Sequence, residues 1–167
     1  TYHGQTMWAI YNNGTLEINT STFTTNNVSG GQVGFGGAIY NTGVIEITNS
    51  IFTNNGASST GYRLYGYGGS IYNLGNLTIN LSTITDSHAS GSGSGIYNND
   101  NANLLVTSSI FSDNLVEGQS TTDNGGGIFN NGNLTVTAAT FVGNYADNGG
   151  GIFNNINGTT SIANSTF

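Results

Sequence analysis

One short pattern recurs six times along this chain of 167 residues. Each copy consists of a small residue, an Ile, an aromatic residue and an Asn, and the copies begin at Ala9, Ala38, Ser70, Gly95, Gly127 and Gly151. Regular internal repetition is the sequence signature of solenoids and related repeat folds, in which each repeat packs against its neighbours. The repeat therefore constrains the fold more than any other feature of the sequence.

A short strand is predicted after each copy of the pattern. The copy is followed by a turn, usually with Gly, and then by alternating apolar and polar residues such as Leu16-Glu17-Ile18. Alternation of this kind indicates a β-strand. A second apolar position follows each predicted strand, at Phe23, Phe52, Ile84, Phe111, Phe141 and Phe167.

The spacing within the repeat is uneven. The Ile of the pattern precedes the second apolar position by 13 residues in four copies and by 15 in two, but the next Ile follows after 11 to 19 residues. We therefore predict an all-β, right-handed parallel β-helix of about five to six coils, with three strands per coil and variable loops at one corner. Residues 1–167 are interpreted as a single β-solenoid domain.

Two columns of Asn side chains are expected to stack along this coil and to bond amide to amide. The first column holds the Asn of the recurring pattern, at Asn12, Asn41, Asn73, Asn98, Asn130 and Asn154. The second column lies three residues after the second apolar position, at Asn26, Asn55, Asn114 and Asn144.

Low charge narrows the range of partners. Only 5% of the residues are charged, the formal net charge is −7, and Arg63 is the only Lys or Arg. Such a chain cannot neutralise the phosphates of a nucleic acid or dock on an anionic membrane, and it has no apolar run long enough to insert into a bilayer. The absence of Cys excludes disulfides and thiolate metal sites. We therefore expect no nucleic-acid partner and no direct membrane insertion.

Two motifs occur together along the chain. The first is Gly-Gly-Ala-Ile at residues 36–39, with variants at later copies, and the second is Phe-x-x-Asn at residues 23–26, 52–55, 111–114 and 141–144. This pairing resembles the repeats of the polymorphic outer-membrane protein family. The resemblance implies a right-handed β-helical protein displayed outside a bacterial cell, often as an adhesin, and it names no ligand.

The aromatic residue of each copy is a candidate binding position. If the neighbouring Ile points inward, a stripe of rings points outward, formed by Tyr11, Tyr40, Tyr72, Tyr97, Phe129 and Phe153. A flat aromatic stripe suits stacking on surface glycans or burial under a host or neighbouring-cell receptor. The alternatives are that the rings face the core, or that Gly-rich insertions such as residues 61–69, with Tyr62, Tyr65 and Tyr67, fold over them.

Acidic residues form a second set of candidates. Asp86 and Asp113 each lie two residues after the second apolar position, so we expect them to stack in successive coils, with His88 close by. One interpretation is a Ca²⁺ site in which Asp86 and Asp113 act with backbone carbonyls or Asn oxygens, either alone or joined by Asp123 or Asp147.

A polysaccharide-cleaving pair is another interpretation of these acids, although such a site usually needs a basic residue and Arg63 is the sole candidate. Solvated surface acids are the third interpretation. We assign no catalytic residue and expect no cofactor other than Ca²⁺.

The expected function is that of a non-enzymatic structural or adhesive β-helix on the bacterial exterior. Neither end of the repeat array has a recognisable cap, so the chain is interpreted as a segment of a longer solenoid or as a protomer of an extracellular filament. In both cases its partners include further coils, from the same protein or from other copies stacked end to end. A second alternative is a carbohydrate-binding or carbohydrate-cleaving β-helix.

Overall fold

The computed structural model describes residues 8–29, 33–59, 65–118 and 123–167. Within these ranges the regular secondary structure is entirely β, with 23 strands and no helix. Consequently, no helix in the described part of the chain is long and apolar enough to cross a membrane.

Sheets I and II carry the recurring pattern and the alternating segment that follows it. Sheet I consists of β1 (Ile10–Asn12), β6 (Ile39–Asn41), β11 (Ile71–Asn73), β15 (Ile96–Asn98), β19 (Ile128–Asn130) and β22 (Ile152–Asn154). Sheet II consists of β2 (Thr15–Asn19), β7 (Val44–Thr48), β12 (Asn76–Asn80), β16 (Asn103–Thr107), β20 (Asn133–Thr137) and β23 (Thr159–Ala163). In both sheets the strands lie side by side in the order in which they occur along the chain.

Sheets III and IV complete most coils. Sheet III carries the second apolar position in β3 (Thr22–Thr24), β8 (Ile51–Thr53), β13 (Thr83–Thr85), β17 (Ile110–Ser112) and β21 (Thr140–Val142). Sheet IV follows sheet III in the same coil, after a short corner, and consists of β4 (Asn27–Ser29), β9 (Gly56–Ser58), β14 (His88–Ala89) and β18 (Leu115–Val116). Two inserted strands, β5 (Val33–Phe35) and β10 (Tyr65–Tyr67), pair with each other as sheet V.

The number of strands per coil differs from the prediction of three. Among the residues that the structure describes, the first two coils hold five strands each and the next two hold four. The additional strands form because the chain resumes an extended conformation after the Phe-x-x-Asn turn, where its backbone N–H and C=O groups also need partners. The equivalent segment of the next coil supplies these partners.

The strand register matches the sequence repeat residue for residue, and all the pairings between strands are parallel. Ile39 lies between Ile10 and Ile71 in sheet I, and Phe52 lies between Phe23 and Ile84 in sheet III. The chain is therefore an all-β, parallel β-solenoid of about five turns, and this part of the prediction is confirmed.

Alternation along sheet II separates the core from the surface. In β7, Ile45 and Ile47 are buried, whereas the side chain of Val44 is 43% exposed. In sheet III, Phe111 is fully buried and its ring stacks on that of Phe141 at 4.8 Å. Burial of each such side chain contributes about 1.5–3 kcal/mol, so the stacked apolar columns provide most of the stabilisation of the coil.

Two corners of the coil are made by residues in the left-handed backbone conformation. One column, between sheets II and III, has φ values of 48° to 53° at Thr20, Asn49, Leu81, Ser108, Ala138 and Asn164. The other, between sheets III and IV, includes Thr25, Asn54, Asp86, Asp113 and Gly143. This conformation costs about 1–2 kcal/mol for most residues and less for Gly, Asn and Asp, so stacking between coils must offset the cost at Leu81 and Thr25.

The Gly motif, which precedes the Ile in five of the six copies, also adopts the left-handed backbone conformation. Its first glycine has φ between 62° and 69° in five coils. A Cβ atom on Gly93 would lie only 2.5 Å from the carbonyl oxygen of Ile96. A residue with a side chain at this position would therefore combine backbone strain with a clash.

Candidate functional site

Asn side chains form an unbroken ladder at the turn between sheets I and II, which we name the ladder corner. Each Asn donates a hydrogen bond from its Nδ2 to the Oδ1 of the next at 2.8–2.9 Å, through Asn12, Asn41, Asn73, Asn98, Asn130 and Asn154. Asn73 also holds its own turn, because its Oδ1 accepts a hydrogen bond from the N–H of Gly75 and its Nδ2 donates to the Gly75 carbonyl. The first predicted ladder is therefore present throughout.

The second predicted Asn column is present but interrupted. Asn26 donates to Asn55 at 2.9 Å, and Asn114 donates to Asn144 at 2.8 Å. Between these pairs lies Ser87, which has no amide group to continue the ladder. Its backbone N–H donates to the Oδ1 of Asn114 at 3.1 Å, as the N–H groups of Asn26 and Asn114 do to the next Asn. The column therefore acts as two separate pairs.

The predicted aromatic stripe forms one continuous stack on the outside of sheet I. Successive ring centroids are 4.5–5.6 Å apart and the planes differ by 11–21°, through Tyr11, Tyr40, Tyr72, Tyr97, Phe129 and Phe153. The rings do not face the core, because the Ile residues beside them occupy it. Stacking at these distances adds to the stabilisation from burial.

The stripe is only partly open to solvent. Tyr11 is 55% exposed, whereas Tyr72 and Phe129 are each only 7% exposed. Much of the stripe is therefore not a flat surface on which an extended glycan could lie.

Aromatic side chains of the inserted strands cover the middle of the stripe. Phe35 of β5 packs on Tyr72 with ring centroids 4.8 Å apart, and Tyr67 of β10 packs on Tyr97 at 5.1 Å. Trp8 covers the beginning of the stripe. The expectation that insertions fold over the stripe is thus correct for these strands, whereas Tyr62 lies outside the described residues.

Burial raises the pKa of three tyrosine hydroxyls of the stripe, those of Tyr40, Tyr72 and Tyr97. The pKa of Tyr97 rises to about 12, with smaller contributions from the neighbouring Tyr67 and Asp100. The pKa values of Tyr67 and Tyr72 are also raised, chiefly by burial. These phenols therefore stay protonated at neutral pH, so they remain neutral hydrogen-bonding groups.

A groove of about 180 Å³ opens beside the stripe, and we name it the Tyr97 groove. Its walls include Tyr65, Tyr67, Tyr97, Phe129 and Asp123. The rings of Tyr97 and Phe129 lie parallel at 4.5 Å, while the ring of Tyr67 is inclined by 61° to that of Tyr97. The groove thus combines aromatic surfaces in two orientations with one carboxylate.

Asp123 is the most unusual polar residue of this groove. It is only 4% exposed, and its Oδ2 accepts a hydrogen bond from the N–H of Gly118 at 2.8 Å, but its buried Oδ1 has no hydrogen-bond partner. Burial raises the pKa of this carboxyl, the Gly118 hydrogen bond lowers it, and the charge of Asp147 raises it further. An unpaired buried carboxylate oxygen is costly, which makes it a candidate for ligand contact.

Sequence reasoning named Asp123 only as a further Ca²⁺ ligand and did not predict the groove. One signal was available, because Asp-Asn-Gly-Gly-Gly-Ile-Phe-Asn occurs at residues 123–130 and again at 147–154. The structure places Asn124 and Asn148 side by side in a parallel bridge. The two acids nevertheless differ in burial, since Asp147 is exposed.

Asp86 and Asp113 occupy equivalent corner positions in neighbouring coils, as expected, because the residues before them, Thr85 and Ser112, pair in sheet III. Both acids are exposed and both have a left-handed backbone, with φ of 51° and 54°. Asp tolerates this conformation better than most residues do, so the corner geometry already accounts for the pair. His88 is partly exposed and lies in the strand that follows.

Among the described residues, no three His, Asp or Glu side chains are grouped closely enough to hold a metal ion. A Ca²⁺ site at Asp86 and Asp113 would therefore need oxygen ligands from amides, backbone carbonyls or water. It stays a prediction, as does catalysis by these acids.

The fold and the ladders define a structural repeat protein of the parallel β-solenoid class. Comparisons of the chain with models of known families, with curated proteins and with solved structures find no match. The resemblance to polymorphic outer-membrane protein repeats therefore rests on the motifs of the sequence alone.

Proposed function

We propose that this solenoid is a non-enzymatic structural and adhesive element on the outside of a bacterial cell. The observation that carries the proposal is that stacking between coils uses nearly all of the recurring residues. The inner Ile and Phe columns fill the core, and the Asn ladder joins the turns. Such a stack is a rod that grows by about 4.8 Å per coil and holds its variable segments in fixed positions.

The variable segments supply the contact surface in this proposal. They lie between sheet IV and sheet I, at what we name the insertion corner, and they include β5 and β10. Inserted segments on a rigid scaffold are common sites of binding, because they vary without disturbing the core. Here they place Phe35, Tyr65 and Tyr67 beside the stripe.

The resemblance of the Gly-Gly-Ala-Ile and Phe-x-x-Asn motifs to repeats of bacterial surface proteins supports the cell exterior as the location. Labelling of intact bacteria that produce the chain, with an antibody raised against it, tests this location. We expect label on unpermeabilised cells, and protease added outside should remove it. Label that appears only after permeabilisation, alongside a cytoplasmic control protein, would contradict the proposal.

Adhesion is tested separately with beads coated with the purified chain. We expect the beads to attach to cells that bear surface glycans or receptors, and attachment should fall after Tyr67→Ser at the insertion corner. The control is Leu105→Ser, because Leu105 is 41% exposed on the outer face of sheet II and not at the insertion corner. Equal loss with both variants would show that attachment does not depend on the insertion corner.

End-to-end assembly into a filament is a second candidate, favoured by the direction of the ladder. Each ladder Asn donates towards the C-terminal coil. The ladder therefore ends with the Oδ1 of Asn12 at one end and with the Nδ2 of Asn154 at the other, and neither atom takes part in the five ladder bonds. At the same end as Asn154, the core-column residue Ile162 is 46% exposed. The two ends of the ladder are thus complementary in hydrogen bonding, whether the next coil belongs to the same protein or to another copy.

Electron microscopy of the concentrated chain tests this assembly. We expect fibres one solenoid wide, and Ile162→Asp should abolish them because it places a charge between stacked cores. Leu105→Asp, on the side of the rod, should leave them intact. Discrete particles of the unaltered chain at all concentrations would exclude self-assembly and leave the surface-element proposal untouched.

A further inference from the structure

We infer that the Tyr97 groove binds one neutral sugar residue of a glycan, with the ring held against Tyr97 and Tyr67 and a hydroxyl donating to Asp123. This inference deepens the proposed adhesive function, because it names the ligand class of the insertion corner. It concerns a different place from the exposed end of the stripe at Tyr11.

The aromatic walls provide the first argument. Sugar rings have faces of C–H groups, which pack against aromatic rings with large contact area and little loss of side-chain entropy. Tyr97 and Tyr67 are both only partly exposed and their planes differ by 61°, so together they form an angled wall. The volume of about 180 Å³ is below the roughly 300–1,000 Å³ of sites for larger ligands, which suits a single ring.

Asp123 provides the second and independent argument. Its Oδ1 is buried without a partner, although the other oxygen of the same carboxylate is bonded to Gly118. A hydroxyl group that enters the groove supplies the missing donor to this side chain, and hydrogen bonds to a charged acceptor are about twice as strong as neutral ones. Asp123 lines the groove, so the wall of the site contains a carboxylate with one unsatisfied oxygen.

Charge decides between sugar classes. None of the described residues that line the groove is basic, and two further carboxylates, Asp100 and Asp147, are near enough to raise the pKa values of Tyr97 and Asp123 respectively. Uronic and sialic acids would meet this negative field without a counter-charge from the described residues of the groove. A neutral hexose or N-acetylhexosamine meets no such repulsion.

Two-dimensional NMR of the purified chain, titrated with methyl glucoside, methyl galactoside and N-acetylglucosamine, tests the inference. We expect at least one of them to shift the amide signals of Gly91, Ser92 and Asn124 saturably, with Kd of roughly 1 mM. Glucuronic acid should bind at least 10-fold more weakly. No saturable shift with any neutral sugar would overturn the inference.

Two variants and one control locate the site. Asp123→Asn keeps the shape of the side chain and should raise Kd about 10-fold, as should Tyr97→Leu. Tyr11→Leu, at the exposed end of the same stripe, should leave Kd unchanged. If Tyr97→Leu disturbs folding, seen as shifts throughout the spectrum, Asp123→Asn alone decides, and an unchanged Kd in that variant overturns the inference.

Titrations with CaCl₂ and with acid distinguish other occupants of the groove. Saturable shifts at the same amides with Ca²⁺ but with no neutral sugar would show a cation site, and shifts with acid but with no neutral sugar would show a carboxyl that is satisfied by its own proton. Either result overturns the inference. None of these measurements depends on where the protein is located, so their failure is separate from a failure of the surface-labelling experiment.

Discussion

The ladder corner and the insertion corner stand on opposite ends of sheet I and differ in how their buried polar groups are paired. At the ladder corner, Asn41, Asn73, Asn98 and Asn130 are completely buried, and both their amide nitrogens and their oxygens have partners. In the described part of the chain, only two buried side-chain atoms have none, namely Ser90 Oγ and Asp123 Oδ1. Both atoms lie at the insertion corner.

This difference shows how the solenoid separates stability from variation. A continuous side-chain ladder requires the same residue at the equivalent position of every coil. The turn that carries the ladder therefore cannot change its length freely. The insertion corner is joined by backbone hydrogen bonds between glycines, such as Gly69 to Gly93 and Gly126 to Gly149, and the segments before those glycines vary in length. Unsatisfied groups are tolerated there because the ladder corner and core supply the stability.

The largest expected effect is at the ladder corner. Asn73→Ala leaves the Nδ2 of Asn41 and the Oδ1 of Asn98 buried without their ladder partner, so we expect the free energy of unfolding to fall by about 3–5 kcal/mol. Urea denaturation measures it. The control is Asn103→Ala, which removes two ladder bonds of similar length on the solvent-exposed face and should change stability by less than about 0.5 kcal/mol. Equal losses would show that burial does not distinguish the ladders.

The second prediction concerns the glycines of the insertion corner. Gly93→Ala places a Cβ against the Ile96 carbonyl at a φ of 64°, and we expect a loss of at least about 2 kcal/mol. Gly14→Ala is the matched change at the ladder corner, where a Cβ would meet nothing within 4 Å, so its unfolding midpoint in urea should stay close to that of the unaltered chain. A tolerated Gly93→Ala would mean that this backbone relaxes.

A smaller gain is expected at a third corner, between sheets II and III. Leu81 is 58% exposed and has a φ of 49°, whereas Asn49 stands at the same position one coil earlier. Leu81→Asn should raise stability by about 1 kcal/mol, because Asn adopts the left-handed conformation more easily. Thermal unfolding measures the gain. The reverse change, Asn49→Leu, should lower the melting temperature, and a matching rise would contradict the explanation.

The smallest effect is expected from Asp123, and it depends on pH. Its pKa is raised in the folded chain, chiefly by burial, so between the ordinary aspartate pKa of about 3.9 and the raised value the folded chain binds more protons than the unfolded chain. The free energy of unfolding therefore falls as pH rises through this interval and stays lower above it.

Asp123→Asn should remove this fall, which unfolding measured from pH 3 to pH 7 would detect. Asp113→Asn is the control, because Asp113 is exposed and the fall should persist in that variant. An unchanged pH profile in Asp123→Asn would show that Asp123 is not the titrating group.

Much of the fold could be predicted from particular residues. The repeated Ile-aromatic-Asn segment predicted sheet I and its register, the spacing to Phe52 and Phe111 predicted sheet III, and the changing distance to the next Ile predicted the variable corner. The number of strands per coil could not be predicted, because sheet IV has two or three residues per strand and no alternating pattern of its own. Parallel partners one coil away make those short segments strands.

The candidate sites likewise include features that the sequence predicted and features that it did not. The outward stack of rings followed from the Ile beside each ring, and the stacking of Asp86 with Asp113 followed from the repeat. The cover that Phe35 and Tyr67 provide, and the groove beside Tyr97, depend on segments that the repeat does not contain.

The sequence by itself determined the parallel stacking of this protein. Each coil packs only against its neighbours, and the repeated residues show which positions of neighbouring coils stack on each other. Only the tertiary structure decided which of two equivalent acids is buried. Asp123 and Asp147 have the same local sequence after them, but the backbone of Gly118 reaches Asp123, and Asp147 remains exposed. The burial of a side chain depends on which distant segments of the chain pack against it, and those contacts cannot be predicted from the repeat.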